Sequence, residues 1–407
     1  MWSANANSAA RQPTEGAWSL PCLQIEDRPR FAWRGLLIDV SRHYMPLDFL
    51  KKTVDLLALH KMNTLQLHLT DDQGWRIEVK KYPRLTEIGS IRKESPLRGS
   101  SDRGDGTPYG PYFYSQEQIR ELIAYAQARH VTIVPEIEMP GHFLAALAAY
   151  PEFSCRGGPF QVRTRWGVEP DILCAGNEAS FNFVQDILTE VTELFPSRFI
   201  HIGGDEAPRV RWKECPKCQA RIRAEGLRNE AELQTYFNRR IEEFLTRKGR
   251  RLIGWDEILE GGLTPGAAVM SWRGMEGGIA AANAGHDVVM SPTSHCYFDY
   301  AQSKNPGESE SIGGYIPLRT VYAFEPIPAG LAQANRNHIL GGQGNVWTEF
   351  LAMPSDVEFF AFPRAVALAE VLWSPAEARE VKDFNRRLES HQKRLDHLNV
   401  NYRKLDE

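Results

Sequence analysis

Two carboxylates stand side by side at Asp205 and Glu206, directly after Phe199-Ile200-His201-Ile202-Gly203-Gly204. With a period of two, Ile200 and Ile202 share one face of a strand, with His201 and Gly203 on the other, so the stretch reads as a buried strand. The two glycines open space beside the backbone and let the chain leave the strand, so the adjacent acids need not point to opposite faces. Neighbouring carboxyls whose surroundings push their proton affinities apart let one site run acid and base chemistry together. An Asp-Glu pair followed by Pro208 also suits a helix start. What favours catalysis is the company the pair keeps.

That company sits at the ends of other apolar, alternating runs. Arg42 follows 35–40, Asp71 follows 65–70, and His142 follows 131–137. Trp255 and Asp256 close 251–256, and Trp272 closes 267–272. Tyr297 and Asp299 follow 287–291, and Trp347 and Glu349 follow 339–344. Aromatic rings with carboxylates and an arginine are what a sugar pocket needs, because a pyranose offers C–H faces to stack on and hydroxyls to hydrogen-bond.

The runs alternate with stretches of helical spacing at 46–60, 116–130, 181–195, 232–248, 277–284 and 356–372. Eight strand runs, six of them followed by such a helical stretch, predict an α/β fold, a parallel eight-stranded (β/α)8 barrel whose reacting groups lie at the C-terminal strand ends. A doubly wound sheet is the alternative, but eight runs without a Gly-rich dinucleotide fingerprint count against it. A charged stretch, 376–398, reads as a last helix over or beside the barrel bottom. Residues 23–25 read as a short strand, so 1–33 are taken as a tail plus the remnant strand of an upstream domain, and 34–407 as the catalytic barrel with its C-terminal helix.

The 407 residues, 42% hydrophobic, supply ample core for one large domain. A net charge of -4 with interspersed signs argues against a nucleic-acid face or a polybasic membrane anchor. No apolar run approaches the roughly 20 residues of a membrane span, and 1–16 lacks the apolar segment of a signal peptide. Cys155 and Cys174 flank a long loop that a disulfide could close. Cys215-Pro-Lys-Cys218 has zinc-ribbon spacing, but no second Cys or His pair follows at ribbon distance, so the reading is a local disulfide or free thiols and no metal. Cys22 and Cys296 read as free thiols.

His201-Ile202-Gly203-Gly204-Asp205-Glu206 occurs together with Asp39-Val40-Ser41-Arg42-His43-Tyr44, His68-Leu69-Thr70-Asp71-Asp72, Met139-Pro140-Gly141-His142, Gly254-Trp255-Asp256-Glu257 and Trp347-Thr348-Glu349. In that order the set resembles the β-N-acetylhexosaminidases of glycoside hydrolase family 20. The resemblance implies an exo-acting, retaining hydrolase of terminal β-linked N-acetylglucosamine or N-acetylgalactosamine, in which the substrate's own acetamido group is the nucleophile. It implies Glu206 as general acid and then base, with Asp205 holding the acetamido N–H and the oxazolinium ion. Tyr297 would bond the acetamido oxygen, and Trp255, Trp272 and Trp347 would enclose its methyl and the sugar face. Arg42 and Glu349 would hold hydroxyls 3 and 4, Asp299 the 6-hydroxyl, and Asp71 and His142 would support Glu206. No cofactor is implied; the partner is an oligosaccharide or glycoconjugate, and the implied location secreted or periplasmic.

An acid working near neutrality needs a raised pKa, so Glu206 is expected to be the raised member and Asp205 the charged one. Other readings are the same chemistry on a disaccharide unit or a 1,6-linked glucosamine polymer, decided by loops 94–112 and 302–315, and a catalytically silent sugar-binding barrel. A conventional double displacement needs a second carboxylate about 5 Å from Glu206, for which Glu349 and Asp256 are the candidates.

Overall fold

Leu36 and Ile38 turn outward into the main apolar core, while Trp33 and Leu37 turn inward to a smaller cluster with Val134, Ile253, Trp255, Ala268, Met270 and Val289. That alternation, repeated from strand to strand, separates a barrel interior from the layer that helices cover. A computed structural model describes residues 22–97, 100, 103–305 and 308–405. Its strands are β1 (Trp33–Asp39), β2 (Thr64–His68), β3 (Thr70–Asp71), β4 (Gly74–Trp75), β5 (Thr132–Glu136), β6 (Phe199–His201), β7 (Arg251–Trp255), β8 (Ala268–Ser271), β9 (Val288–Met290) and β10 (Ile339–Val346). Eight of them close into a parallel barrel in the order β1-β10-β9-β8-β7-β6-β5-β2, and β3 and β4 form a separate antiparallel ribbon. The eight barrel strands are those that the alternating runs predict.

Strand register places the chemistry. Asp39 pairs with His68, His68 with Glu136, and Glu136 with His201, so four neighbouring strands carry an ionisable residue at one level. Below that level a chain of buried hydrogen bonds crosses the interior. Trp33 Nε1 donates to Gln343 Oε1 at 3.1 Å, Gln343 Nε2 to Gln66 Oε1 at 2.9 Å, and Gln66 Nε2 to Glu136 Oε2 at 2.9 Å. Each group thereby replaces the water it loses on burial.

The helices follow the apolar spacing. In Leu47–Leu59 the buried Leu50, Val54 and Leu57 recur every three or four residues and face the barrel. Gln116–Gln127 starts at a capping box between Ser115 and Gln118. The single helix expected over 356–372 is two, Pro354–Ala361 and Arg364–Trp373. Pro363 has no N–H to donate and pushes Phe362 to an extended φ of -108° and ψ of 137°. The last helix is Val381–His397, capped by Glu380, whose side chain accepts from the N–H groups of Lys382 and Asp383. It lies beside the barrel on the outer helices, with Arg387 paired to Glu370 and His391 against His60.

The strand expected at 23–25 is absent. Leu23 and Ile25 are 60% and 65% exposed with no strand pairing, because no neighbouring sheet edge receives them. The segment is tied to the barrel by Asp27, which pairs with Lys61 and accepts from Trp373 Nε1, and by Arg30 and Phe31, which donate backbone hydrogen bonds to Trp373 and Leu372. The tail 1–21 lies outside the described residues. No helix among them is long and apolar enough to cross a membrane.

Candidate active site

Pairing of β6 ends at His201, and Gly203 and Gly204 follow at φ +64° and +90°, a region open chiefly to glycine. A Cβ on Gly203 would lie 1.7 Å from Oε2 of Glu138, so the missing side chain lets a second carboxyl press against the turn. Beyond it the neighbouring acids diverge in environment. The Asp205 side chain is 14% exposed and that of Glu206 is 43% exposed. Glu206 also sits at φ +41°, a strained position for a residue with a Cβ.

His142 stands against both acids. Its Nε2 is 3.6 Å from Asp205 Oδ2 and 3.5 Å from Glu206 Oε2, and its Nδ1 is 3.3 Å from Asp71 Oδ1 and 3.4 Å from Asp72 Oδ2. Burial opposes its charge, but Asp71 and the surrounding carboxylates raise its pKa well above the ordinary value. His68 is held as an imidazolium in the same way. Although burial pulls it down, Glu136 at 2.9 Å and Asp71 at 2.9 Å carry it to about 10.

The two acids then split in the direction opposite to the expected one. Burial raises Asp205 to about 6, with His142 opposing and Glu136 and Glu206 assisting. Hydrogen bonding to His142 lowers Glu206, which keeps more of its hydration. So in the free cavity Asp205 holds the proton more tightly, and it is the deeper of the two. Behind it, burial with the charges of Asp205 and Glu136 pushes Glu138 well above the carboxylate range, and burial with Asp205 nearby lifts Glu257 to about 8. Trp272 Nε1 donates to Glu257 Oε2 at 2.9 Å.

At the other side Arg42 gathers acids: Nη2 is 2.7 Å from Asp71, and Nη1 is 3.3 Å from Asp39 and 3.8 Å from Glu349. Against burial, Asp71, Glu349 and Asp39 keep its pKa well above the usual value. Both oxygens of buried Asp299, and Oδ1 of Asp205, find no hydrogen-bond partner among the described residues. Burial, with Glu349 nearby, pushes Asp299 well up. The aromatic wall is continuous: Trp255 to Trp347 at 5.8 Å between ring centroids, Trp347 to Tyr297 at 6.4 Å, and Tyr297 stacked on Trp272 at 6.1 Å. Trp255 is fixed by its Nε1, which donates to Glu136 Oε1 at 2.8 Å.

One cavity of about 370 Å³ brings together Arg42, Asp71, His142, Asp205, Glu206, Trp255, Trp272, Tyr297, Asp299, Trp347 and Glu349. Asp256 does not line it: its carboxylate accepts from Trp272 N at 3.1 Å and from Arg273 Nε at 2.6 Å. His68, from the motif that ends in Asp71, and Ile312, Gly313 and Gly314, from the loop 302–315, complete the lining with Tyr300. The sequence does not single out Tyr300, nor Glu136 and Glu138 behind the lining. The sequence carries a signal for the last two, since Glu136 and Glu138 alternate with Pro135 and Ile137 at strand spacing. The disulfide expected between Cys155 and Cys174 is not formed; among the described residues all six cysteines are free.

Comparison with known proteins agrees with this geometry. The model of the glycosyl hydrolase family 20 catalytic domain matches residues 31–376. A β-hexosaminidase of Porphyromonas gingivalis is 49% identical over 385 residues, 94% of this chain, and the chain spans 48% of that relative's length. A solved β-N-acetylhexosaminidase superposes with a TM-score of 0.85 at 34% identity, covering 92% of this chain and 79% of that one. An exo β-N-acetylglucosaminidase from Vibrio harveyi, solved with N-acetylglucosamine, gives 0.83 at 34% identity over 92% of this chain and 59% of that one. With its barrel matched almost end to end and the acid pair at the mouth of that barrel, the chain belongs to glycosyl hydrolase family 20.

Proposed function

We propose that the chain is an exo-acting β-N-acetylhexosaminidase that works by substrate-assisted catalysis. The observation that carries the reading is the asymmetric pair: a deep Asp205 with an unpartnered oxygen and a more exposed Glu206, facing one aromatic-walled cavity sized for a single sugar residue. The acetamido oxygen attacks the anomeric carbon as the glycosidic C–O bond breaks, and Glu206 gives its proton to the departing oxygen. Asp205 accepts the acetamido N–H and balances the oxazolinium charge. Water then adds to the anomeric carbon, Glu206 takes its proton, and the ring opens back to the acetamide with retained configuration.

The free cavity must exchange a proton to reach this arrangement. Asp205 and Glu206 titrate as a coupled unit, and an N–H donated by the substrate to Asp205 favours its ionised form. The shared proton then passes to Glu206. Tyr297, Trp255, Trp272 and Trp347 would position the acetamido group, Arg42 and Glu349 hydroxyls 3 and 4, and Asp299 the 6-hydroxyl. Asp71 and His142 set the field around Glu206. A secreted or periplasmic location fits the substrate class.

The test is a comparison of chromogenic N-acetylglucosaminide and N-acetylgalactosaminide substrates with their 2-hydroxy counterparts, together with inhibition by a thiazoline mimic of the oxazoline. Cleavage only of the 2-acetamido sugars, with tight thiazoline binding, is expected. Equal cleavage of the 2-hydroxy sugars would overturn the mechanism.

A further inference from the structure

The six cysteines are not scattered: four of them meet away from the sugar cavity. The sulfurs of Cys155, Cys174, Cys215 and Cys218 all lie within 4.8 Å of one another. Cys155 to Cys218 is 3.8 Å, Cys174 to Cys215 is 3.8 Å, and Cys174 to Cys218 is 3.7 Å. A tetrahedron of thiolates at a zinc–sulfur distance of about 2.3 Å has edges of about 3.8 Å. A disulfide, at about 2.0 Å, joins only two sulfurs and needs a much closer approach.

The backbone around the cluster is built for this meeting. Cys215-Pro-Lys-Cys218 forms a knuckle at the start of the helix Pro216–Ala224, and Cys174 lies on a segment bridged to Ser154 through Leu173. Cys174 N donates to Phe153 O at 2.9 Å, which brings the first pair of cysteines together. Gly176 passes so close to the knuckle that a Cβ there would lie 2.2 Å from the carbonyl carbon of Lys217 and 2.3 Å from Cys218 N. The second ligand pair, which ribbon spacing looks for downstream, precedes the knuckle instead.

The geometry points to a structural zinc site formed by Cys155, Cys174, Cys215 and Cys218. Four soft sulfur ligands in a compact, mostly buried cluster suit Zn²⁺, and with all four positions filled by protein the ion has no place for a substrate. Binding deprotonates the four thiols and releases four protons. The ion would staple the excursion before β6 to the segment after it. That segment starts at Glu206 and is already pinned by Trp212 Nε1, which donates to Leu173 O at 2.9 Å.

The test does not depend on the reaction catalysed. The 407-residue chain purified without chelators is expected to carry one zinc per chain by elemental mass spectrometry, released when a mercurial blocks the thiols. Cys218→Ser and Cys155→Ser should reduce retained zinc to background, while Cys22→Ser keeps the full equivalent. Because a ligand variant can fail to fold, wild-type chain produced in cobalt medium provides a second readout, the absorption of a tetrahedral cobalt tetrathiolate. Background zinc with all six thiols titratable in denaturant, two disulfides by intact mass, or iron in place of zinc would each overturn the assignment.

Discussion

Asp205 and Glu206 share one imidazole: His142 Nε2 lies 3.6 Å from the first and 3.5 Å from the second. Adjacent in sequence, they diverge because Asp205 is buried near the Glu138 carboxyl while Glu206 leans into solvent. The imidazolium stabilises whichever of them is ionised. A single proton can therefore move between them without changing the charge of the cavity.

Glu206→Gln should abolish turnover of glycosides with poor leaving groups. Loss of a positioned general acid costs about 10²–10⁴-fold, and a leaving group that departs without a proton should recover much of it. The ratio of kcat/KM for an alkyl and a nitrophenyl glycoside, in wild type and variant, measures the difference. Equal losses on both would assign Glu206 another role.

Asp205→Asn should lower activity severely and raise thermal stability at neutral pH. The folded protein binds this proton more tightly than the unfolded chain, about 6 against the ordinary 3.8 of an aspartate. Ionising it therefore costs stability as pH rises through that window, and the full cost is present above pH 6. On the order of 1–3 kcal/mol should be regained by the amide at pH 7.5, and the gain should vanish below pH 4. Melting temperatures of both proteins across that range give the answer; an equal or lower value for the variant at pH 7.5 would show that His142 fully compensates the charge.

His142→Asn should move the alkaline limb of the kcat/KM profile upward. His142 lowers the proton affinity of both Asp205 and Glu206, so its loss raises the affinity of either holder of the shared proton. A displacement of about one pH unit is expected. A profile unchanged in position but reduced in height would make His142 a packing residue only.

Acid should loosen the seam between the first and last helices. His60 Nε2 and His391 Nε2 are 2.8 Å apart, and His60 Nδ1 donates to Leu56 O at 2.6 Å, so both rings are held neutral. Burial, with His391 beside it, lowers His60 to about 3, and burial with Arg394 nearby lowers His391 to about 4. The unfolded chain takes up these protons from pH 6.5 downward while the folded one does not, so stability falls as pH drops below 6.5. A loss of roughly 1–2 kcal/mol between pH 6.5 and 5.5 is expected, and His391→Gln should flatten it in melting experiments.

The barrel was legible because its strands come from short apolar runs that alternate and lead into charged, polar or aromatic residues, as Leu65 and Leu67 lead through His68 to Asp71. The cavity lining followed from those ends. Glu136 and Glu138 are not legible from the sequence because their roles depend on partners on other strands, Trp255 and Gln66 for one and Gly203 for the other, which no local spacing encodes. The direction of the Asp205 and Glu206 shifts is hidden from the sequence for a related reason: it rests on the burial of Asp205 and on the placement of His142, far away in sequence. Pro363 interrupts a stretch whose apolar spacing stays helical on both sides of it, and the four cysteines meet across a sequence separation wider than ribbon spacing.

The hydrogen-bonded chain from Trp33 through Gln343 and Gln66 to Glu136 ties the floor of the barrel to Trp255 in the cavity wall. Shortening any one link would strand its neighbours without partners and let Trp255 tilt. Directed evolution that randomises only the rim would thus leave a lever untouched. Libraries that include positions 33, 66 and 343 should yield variants with altered turnover whose replaced side chains never meet the ligand.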